Sequence, residues 1–354
     1  MSSEKNVLVA PLNWGLGHAT RCIPIIRELL RYNYSPIIAS DGQALALLKK
    51  EFPDLPALTL PSYEVEYATE EKNFKWKMLR NAPRMIEAVL QERKAVKKWV
   101  KEYSLAGIIS DNRFGVVSKK VPSIFITHQL NVLSGNTSWL TGSVHRQIMR
   151  KFTEVWVPDA EGPQTLSGKL GHLKQRDDMV RYIGPLSRFT RQEEDIKYDL
   201  MVLLSGPEPQ RTMLELILRE EMLYFKGNVL FVRGVIEPEQ QVNSMENITF
   251  YNYMTSEQLQ TAFAQSAKIL CRSGYTTLMD LAVMGKKAFF IPTPGQYEQE
   301  YLAKKMKKDG LAPYAKQDYF RVENLLEIDL YKGIPNLAAN SPHWKNLFCL
   351  FEGE

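Results

Sequence analysis

The sequence predicts an α/β protein of two domains, each built on a parallel sheet. Three observations carry this. Short apolar runs alternate with helical patterns along the whole chain, the arrangement in which parallel strands are joined by crossover helices. The 354 residues, 44% of them hydrophobic, exceed one ordinary core and suit two domains of about 150–200 residues. The alternation also comes as two series, separated by "IGPLSRFTRQEEDIKYD" (183–199). That stretch has Gly, Pro and clustered charge but little apolar periodicity, as a linker does.

In the first series, strands are expected near 6–10 ("NVLVA"), 35–39 ("SPIIA"), 106–110 ("AGIIS"), 122–127 ("PSIFIT") and 154–157 ("EVWV"), with helices between them. The longest helical stretch, 73–103, is expected to be interrupted at Pro83, with Met85, Ile86, Val89 and Leu90 at helical spacing. The second series runs through "DLMVLLSG" (199–206), "GNVLFVRG" (227–234), "NITFYN" (247–252), "AKILCRSG" (267–274) and "KKAFFIP" (286–292). The expected domains are 1–184 and 199–338, with a linker at 185–198. The tail 339–354 reads as a short amphipathic helix.

Composition excludes several classes. The first residues lack the charged, apolar and cleavage regions of a signal peptide, and no apolar run reaches the roughly 18 residues of a membrane span, so a cytoplasmic location is expected. Cys22, Cys271 and Cys349 form no C-x-x-C pair and are expected to be ordinary buried thiols. No His, Cys and Asp spacing supports a metal site, so no metal ligands are assigned. His145, His172 and His343 are read as structural. The net charge of +5 suits anionic small molecules or an anionic membrane surface, and no nucleic-acid partner is expected.

After the first strand comes "NWGLGHATR" (13–21). Gly15 and Gly17 let backbone N–H groups approach a ligand, and the helix starting near His18 offers unsatisfied N–H groups and a positive dipole end. A neutral imidazole is favoured there, so His18 could take a proton from a hydroxyl. Arg21, one turn on, is expected to face the same mouth on the acceptor side. The alternative is a tight turn with His18 as a helix cap. The third glycine of the dinucleotide fingerprint is absent, which argues against NAD.

In "CRSGYTTLMDLAVMGKKAFFIPTPGQYEQEYLAKKM" (271–306), Ser273 and Gly274 precede a helix starting near Tyr275, a natural pyrophosphate cradle to which Thr276 and Thr277 can add hydroxyls. Asp280, about two turns on, could accept from a ribose diol. The next loop brings Gln296, Gln299 and Glu300 to the same sheet edge. Arg211 and Arg233 are candidate anion contacts, or else salt-bridge partners. In the first domain, Asp111, Asn112 and Arg113 end one strand and His128 and Gln129 the next. Asp111 could be a base or orient one, and the other four are placed on the acceptor side. Plain turn chemistry and structural hydrogen bonding are the competing readings of these loops.

Together these motifs resemble the inverting GT-B glycosyltransferases related to the peptidoglycan UDP-N-acetylglucosamine transferase MurG, in particular their family 28 C-terminal pattern. The resemblance rests on "GLGH" (15–18) and on about 50 residues around 255–306. It implies the GT-B fold, two Rossmann-like domains with parallel sheets facing an interdomain cleft, the tail helix returning to the first domain. It implies a first loop of Gly15, Gly17 and His18. Ser273, Gly274 and Thr277 would then meet the diphosphate, Asp280 the ribose, and Gln299 with Glu300 the donor sugar. The pattern departs at Asp280, where the family has Glu, and at Glu300, where it has a second Gln. The loop 204–211 carries Pro207 and Pro209, which remove N–H donors from a family Gly/Ser-rich loop.

The expected activity is transfer of a sugar from a nucleoside diphosphate, UDP by resemblance, to a hydroxyl acceptor, with inversion and without a metal. His18 or Asp111 is the base. A lipid- or glycan-linked acceptor is one option; for it, basic-aromatic stretches at 73–103 and 139–152 suit peripheral contact with anionic membrane, the competing and more usual reading being a solvated helix face with a buried apolar side. No resident cofactor is expected, because the nucleotide-sugar is a substrate. Two alternatives stand: a UDP-sugar hydrolase of the pseudaminic-acid-pathway type, whose G-x-G-H-x-x-R turn "GLGHATR" resembles, and a non-catalytic nucleotide-sugar-binding subunit.

Overall fold

The computed structural model describes residues 5–63, 74–131, 145–235, 237–337 and 342–353. The chain divides into two compact units, the first of Met1–Ala68, Lys72–Leu186 and Asn340–Glu354, the second centred on Ser187–Ala339.

The first unit holds a seven-stranded sheet in the order β3-β2-β1-β4-β5-β6-β7. Its strands are β1 (Lys5–Pro11), β2 (Tyr34–Ser40), β3 (Ala57–Thr59), β4 (Leu105–Asp111), β5 (Ser123–Ile126), β6 (Glu154–Val157) and β7 (Val180–Tyr182). Every pairing is parallel. Val7, Leu8, Val9, Ile108, Ile109, Ile124 and Phe125 are fully buried, as central strands covered on both faces must be. Helix α1 (Gly17–Arg31) joins β1 to β2, burying Ala19, Cys22, Ile23, Ile26 and Leu29. Helix α2 is Gly42–Glu51. The order reverses at β1, with β2 on one side and β4 on the other, so the crevice at the carboxyl ends of β1 and β4 is the topological switch point.

Helix α3 (Phe74–Glu102) runs through Pro83 and is not interrupted there. One lost backbone bond is outweighed by a packed stripe that includes Ala88, Glu92, Val96 and Val100. That stripe leaves Ile86 and Leu90 facing solvent, 62% and 58% exposed. Residues 145–149 are helical, while 139–144 of the basic-aromatic stretch lie outside the described residues. Helix α8 (Trp344–Phe348), near the C-terminus, belongs to the first unit. Phe348 and Phe351 are buried there against Tyr34. Cys349, expected to be buried, is exposed, because its neighbours Phe348 and Phe351 take the inward positions.

The second unit has a six-stranded sheet, β10-β11-β9-β8-β12-β13. Its strands are β8 (Tyr198–Leu203), β9 (Val229–Val232), β10 (Val242–Met245), β11 (Ile248–Tyr251), β12 (Ser266–Cys271) and β13 (Lys287–Phe290). Only the edge pair β10–β11 is antiparallel. Helices α4 (Gln210–Met222), α5 (Ser256–Ala264), α6 (Tyr275–Met284) and α7 (Tyr297–Lys308) accompany it. Here the order reverses at β8, between β9 and β12. The segment 183–199 is less solvent-borne than its composition suggests: Leu186 and Phe189 are buried, and the Phe189 ring packs on Phe263 at 5.2 Å.

Candidate functional site

Two sets of polar side chains gather at the two switch points. In the first unit, β1 and β4 align Pro11 with Asp111, so the turn that leaves β1 delivers His18 to the end of β4. Gly15 makes that turn at φ 75°, a backbone conformation that L side chains rarely adopt. No side chain caps α1 and no acidic residue lies in its first turn, which leaves the dipole end open.

Asp111 is fully buried. It accepts from Arg21 Nε and Nη2 and lies 2.8 Å from His18 Nδ1, with the Cys22 thiol at 3.8 Å. Arg21 Nη1 also lies 2.9 Å from His128 Nδ1, which must therefore accept. His18 Nδ1 lies 2.9 Å from Arg21 Nη2 as well. A guanidinium only donates, so Nδ1 cannot serve both neighbours, and the proton belongs on Nδ1, pointing at the carboxylate. That tautomer leaves the Nε2 lone pair of His18 without a partner among the described residues.

The charges fit this arrangement. Burial would raise the Asp111 carboxyl, but the Arg21 charge, His18 and their hydrogen bonds outweigh it, holding the group well below the usual carboxylate range. Burial lowers the His18 imidazole, with Arg21 acting in the same direction and Asp111 opposing. His18 is thus a neutral ring held by an ionised carboxylate.

Several sequence expectations are corrected here. Arg21 does not face an open mouth; it is 1% exposed and clamps Asp111. Asp111, expected to be a base or to orient one, is 0% exposed and offers no open face of its own. Arg113 is not on an acceptor surface either. It is fully buried and donates to Pro11 O, Pro61 O, Glu92 and Asp41, tying the ends of β1, β2 and β4 to α3. Asn112 takes a left-handed conformation, φ 57°, between the two buried side chains. His128 is buried beside Arg21, and the Gln129 N–H donates to Thr127 Oγ1 at 3.1 Å.

In the second unit, α6 begins at the carboxyl end of β12. Gly274 is its N-cap; no side chain caps the helix and its first turn has no acidic residue. A Cβ at Gly274 would have open space apart from Thr277 Oγ1 at 3.9 Å. Thr276 and Thr277 are half-buried in that turn. The Ser273 hydroxyl, however, donates to Gln299 O at 2.7 Å, so its side chain ties the turn after β12 to the first turn of α7. Gln299 Oε1 accepts from Thr293 N–H at 2.8 Å and its Nε2 donates to Gln296 Oε1 at 2.6 Å, while Glu300 accepts from Gly295 N–H. These three residues shape the loop after β13.

Asp280 is buried and accepts from the Ser187 hydroxyl at 2.7 Å. Burial pushes its carboxyl up to about 6, against Arg188 and that hydrogen bond. Arg211 is spent on Glu208 and Glu215, and Arg233 Nε donates to Glu215 at 2.6 Å. The salt-bridge reading therefore holds for Arg211. Arg233 also lines a cavity of about 380 Å³ with Arg219, Leu223, Met245 and Phe250. Sequence reasoning quoted Arg272 but assigned it nothing; it lies fully buried beneath this edge. The signal was a cation ending an apolar strand, "KILCR". Among the described residues no three His, Cys, Asp or Glu side chains gather as a metal set, and no helix is long and apolar enough to cross a membrane.

Residues 201–343 match the glycosyltransferase family 28 C-terminal domain. The chain is 25% identical over 288 residues to the UDP-N-acetylglucosamine--N-acetylmuramyl-(pentapeptide) pyrophosphoryl-undecaprenol N-acetylglucosamine transferase of Haemophilus influenzae (strain PittGG), covering 74% of this chain and 77% of the relative. The structure superimposes on Acinetobacter baumannii MurG with a TM-score of 0.57 at 13% identity, covering 98% and 99% of the two chains. It also superimposes on the glycosyltransferase VinC in complex with dTDP with a TM-score of 0.59 at 11% identity, covering 98% and 99%. At such identities the structural matches carry the fold alone. Domain match, relative and fold point the same way: the chain carries a glycosyltransferase family 28 C-terminal domain at residues 201–343, is similar to MurG-type transferases, and has the GT-B fold.

Proposed function

We propose that this glycosyltransferase moves a sugar from UDP to a hydroxyl acceptor in a single inverting displacement, with His18 as general base. The observation that carries the reading is the His18–Asp111 pair, clamped by Arg21, an arrangement that assigns the imidazole proton to Nδ1. His18 Nε2 takes the acceptor's hydroxyl proton as that oxygen bonds to the anomeric carbon. The bond from that carbon to the diphosphate breaks, and its electron pair leaves with UDP. The uncapped start of α6, Gly274 to Thr277, stabilises the departing charge with helix N–H groups, so the chemistry asks for no metal or resident cofactor. Asp280 accepts from the ribose, and Gln299 and Glu300 shape the sugar pocket.

A lipid- or glycan-linked acceptor is supported by the undecaprenol-linked substrate in the name of the Haemophilus relative. A basic α3 with exposed Ile86 and Leu90 suits peripheral contact with anionic lipid on the cytoplasmic face. The matched relatives are transferases, and the hydrolase and silent-binder alternatives gain no support from them.

The test is nucleoside diphosphate release from UDP-, GDP- and dTDP-sugars, with and without polyprenyl-diphosphate glycans, alongside titration of the free diphosphates. UDP binding with release only in the presence of acceptor is expected. Rapid release of free sugar without acceptor makes the protein a hydrolase, and no nucleotide binding overturns the donor site.

A further inference from the structure

Arg272 immediately follows β12 and precedes Ser273 and Gly274. Its side chain is 1% exposed, yet it turns into the sheet edge. Nη1 donates to Ile291 O at 3.1 Å and Pro292 O at 3.2 Å; Nη2 donates to Gln210 O at 2.9 Å and Gln317 Oε1 at 2.7 Å. Every acceptor is neutral. Among the described residues no carboxylate pairs with it, and Nε is buried with no hydrogen-bond partner.

This is an unusual way to keep a guanidinium. Other buried arginines here have acids: Arg21 has Asp111, Arg113 has Glu92 and Asp41, and Arg211 has Glu208 and Glu215. A buried charge without a counter-charge is costly. Its surroundings say what repays the cost. Gln210 opens α4 after β8, Ile291 and Pro292 follow β13, and Arg272 itself follows β12. The sheet order places β8, β12 and β13 side by side, so the guanidinium lies under three adjacent carboxyl-end loops at the switch point of this sheet.

We infer that Arg272 is a positioning residue that sets these loops and holds a fixed positive charge beneath the diphosphate-binding edge, its missing counter-ion being the diphosphate of the donor. The inference rests on the donor-site reading above. The charge acts through the loop and need not touch the ligand, since a buried charge is screened less than one in water. It attracts UDP on binding, and it favours departure as UDP gains a negative charge. Burial draws the guanidinium down to about 9, and an anion above it works in the opposite direction.

The readout is the ratio of UDP to uridine affinity, measured by calorimetry at fixed ionic strength on the full chain. Loss of the charge weakens UDP and spares uridine, and the charge-keeping Lys variant, which disturbs the same loops, separates that effect from loop disorder. Arg272→Met is expected to cut the ratio at least about tenfold, with uridine affinity within about threefold of the parent. Arg272→Lys, which keeps the charge, is expected to retain most of the ratio. If the Met variant does not fold, Arg272→Gln is compared with Arg272→Lys in its place. Equal loss of both ligands, or an unchanged ratio, overturns the inference. No UDP binding by the parent chain overturns the donor-site reading itself, which is a separate result.

Discussion

His18 and Asp111 are 93 residues apart in sequence and 2.8 Å apart in space. Burial separates them: His18 Nε2 has no partner among the described residues, and Asp111 has no exposed atom. His18→Ala is therefore expected to lower turnover by about 10²–10⁴-fold while UDP affinity stays unchanged; a parallel loss of UDP binding would remove His18 from the role of base. Because burial holds the imidazole below its ordinary 6.5, the acid limb of kcat/KM is expected under pH 6.5. A midpoint above that value would mean that Asp111 outweighs desolvation. Asp280 gives the opposite sign. Its carboxyl titrates near 3.8 when unfolded and about 6 when folded, so the folded state favours the protonated form. Its stability contribution is complete below 3.8, falls as pH rises through about 6, and costs up to about 3 kcal/mol above it. Asp280→Asn is expected to match the parent's Tm at pH 4 and exceed it at pH 7.5, and to lose the preference for UDP over 2′-deoxy-UDP. Equal Tm values at pH 7.5, or an undiminished ribose preference, would refute the corresponding half. Which arginines meet ligand was not legible at this scale. Arg21, Arg113 and Arg211 follow turns as anion contacts do, and only the acids packed against them, Asp111, Glu92, Asp41 and Glu215, reveal that they are spent internally.

At the scale of elements, legibility tracked burial. The central strands β1, β4, β5, β8 and β12 are apolar runs because both faces are covered, and they lie where those runs fall. Of the edge strands, β13 falls on its apolar run, whereas β3, β7 and β10 did not declare themselves. β3 and β7 have three residues each, and all four residues of β10, "VNSM", are exposed. Such segments are strands through backbone pairing alone, and no side-chain period marks them. Pro83 misled for a related reason: propensity is local, whereas the 29-residue α3 is held by its packed face. Ile86 and Leu90 share helical spacing with Met85 and Val89, yet the stripe that meets the sheet continues through the buried Glu92, which receives Arg113 and the Tyr63 hydroxyl. A polar residue inside that face moved the boundary of the stripe. The glycine turns were the most legible elements, since Gly15 needs its positive φ and Gly274 its open approach.

At the scale of the molecule, the two units repeat one device: a switch point at the carboxyl edge of a parallel sheet, with a helix N-terminus above and a buried arginine below. The first unit is completed by chain from the far C-terminus, and that makes a test independent of catalysis. The Phe351 ring is 2% exposed and sits against Gly107 of β4, where an added Cβ would overlap it; Tyr34 and Phe348 flank the ring at 6.2 and 6.3 Å. Phe351→Ala removes a fully packed aromatic and is expected to cost about 3–5 kcal/mol. Gly107→Ala is expected to be destabilising too, because the new methyl displaces the ring. Combined, the two changes should cost clearly less than their sum, since the methyl enters space that the ring has vacated. Neither variant should alter UDP affinity, because the residues assigned to the diphosphate and ribose lie in the second unit. Denaturant unfolding of the parent, the two single variants and the double variant measures the coupling. Strict additivity would mean that Phe351 does not rest on β4 in solution, and the C-terminal segment would then be no part of the first unit's core.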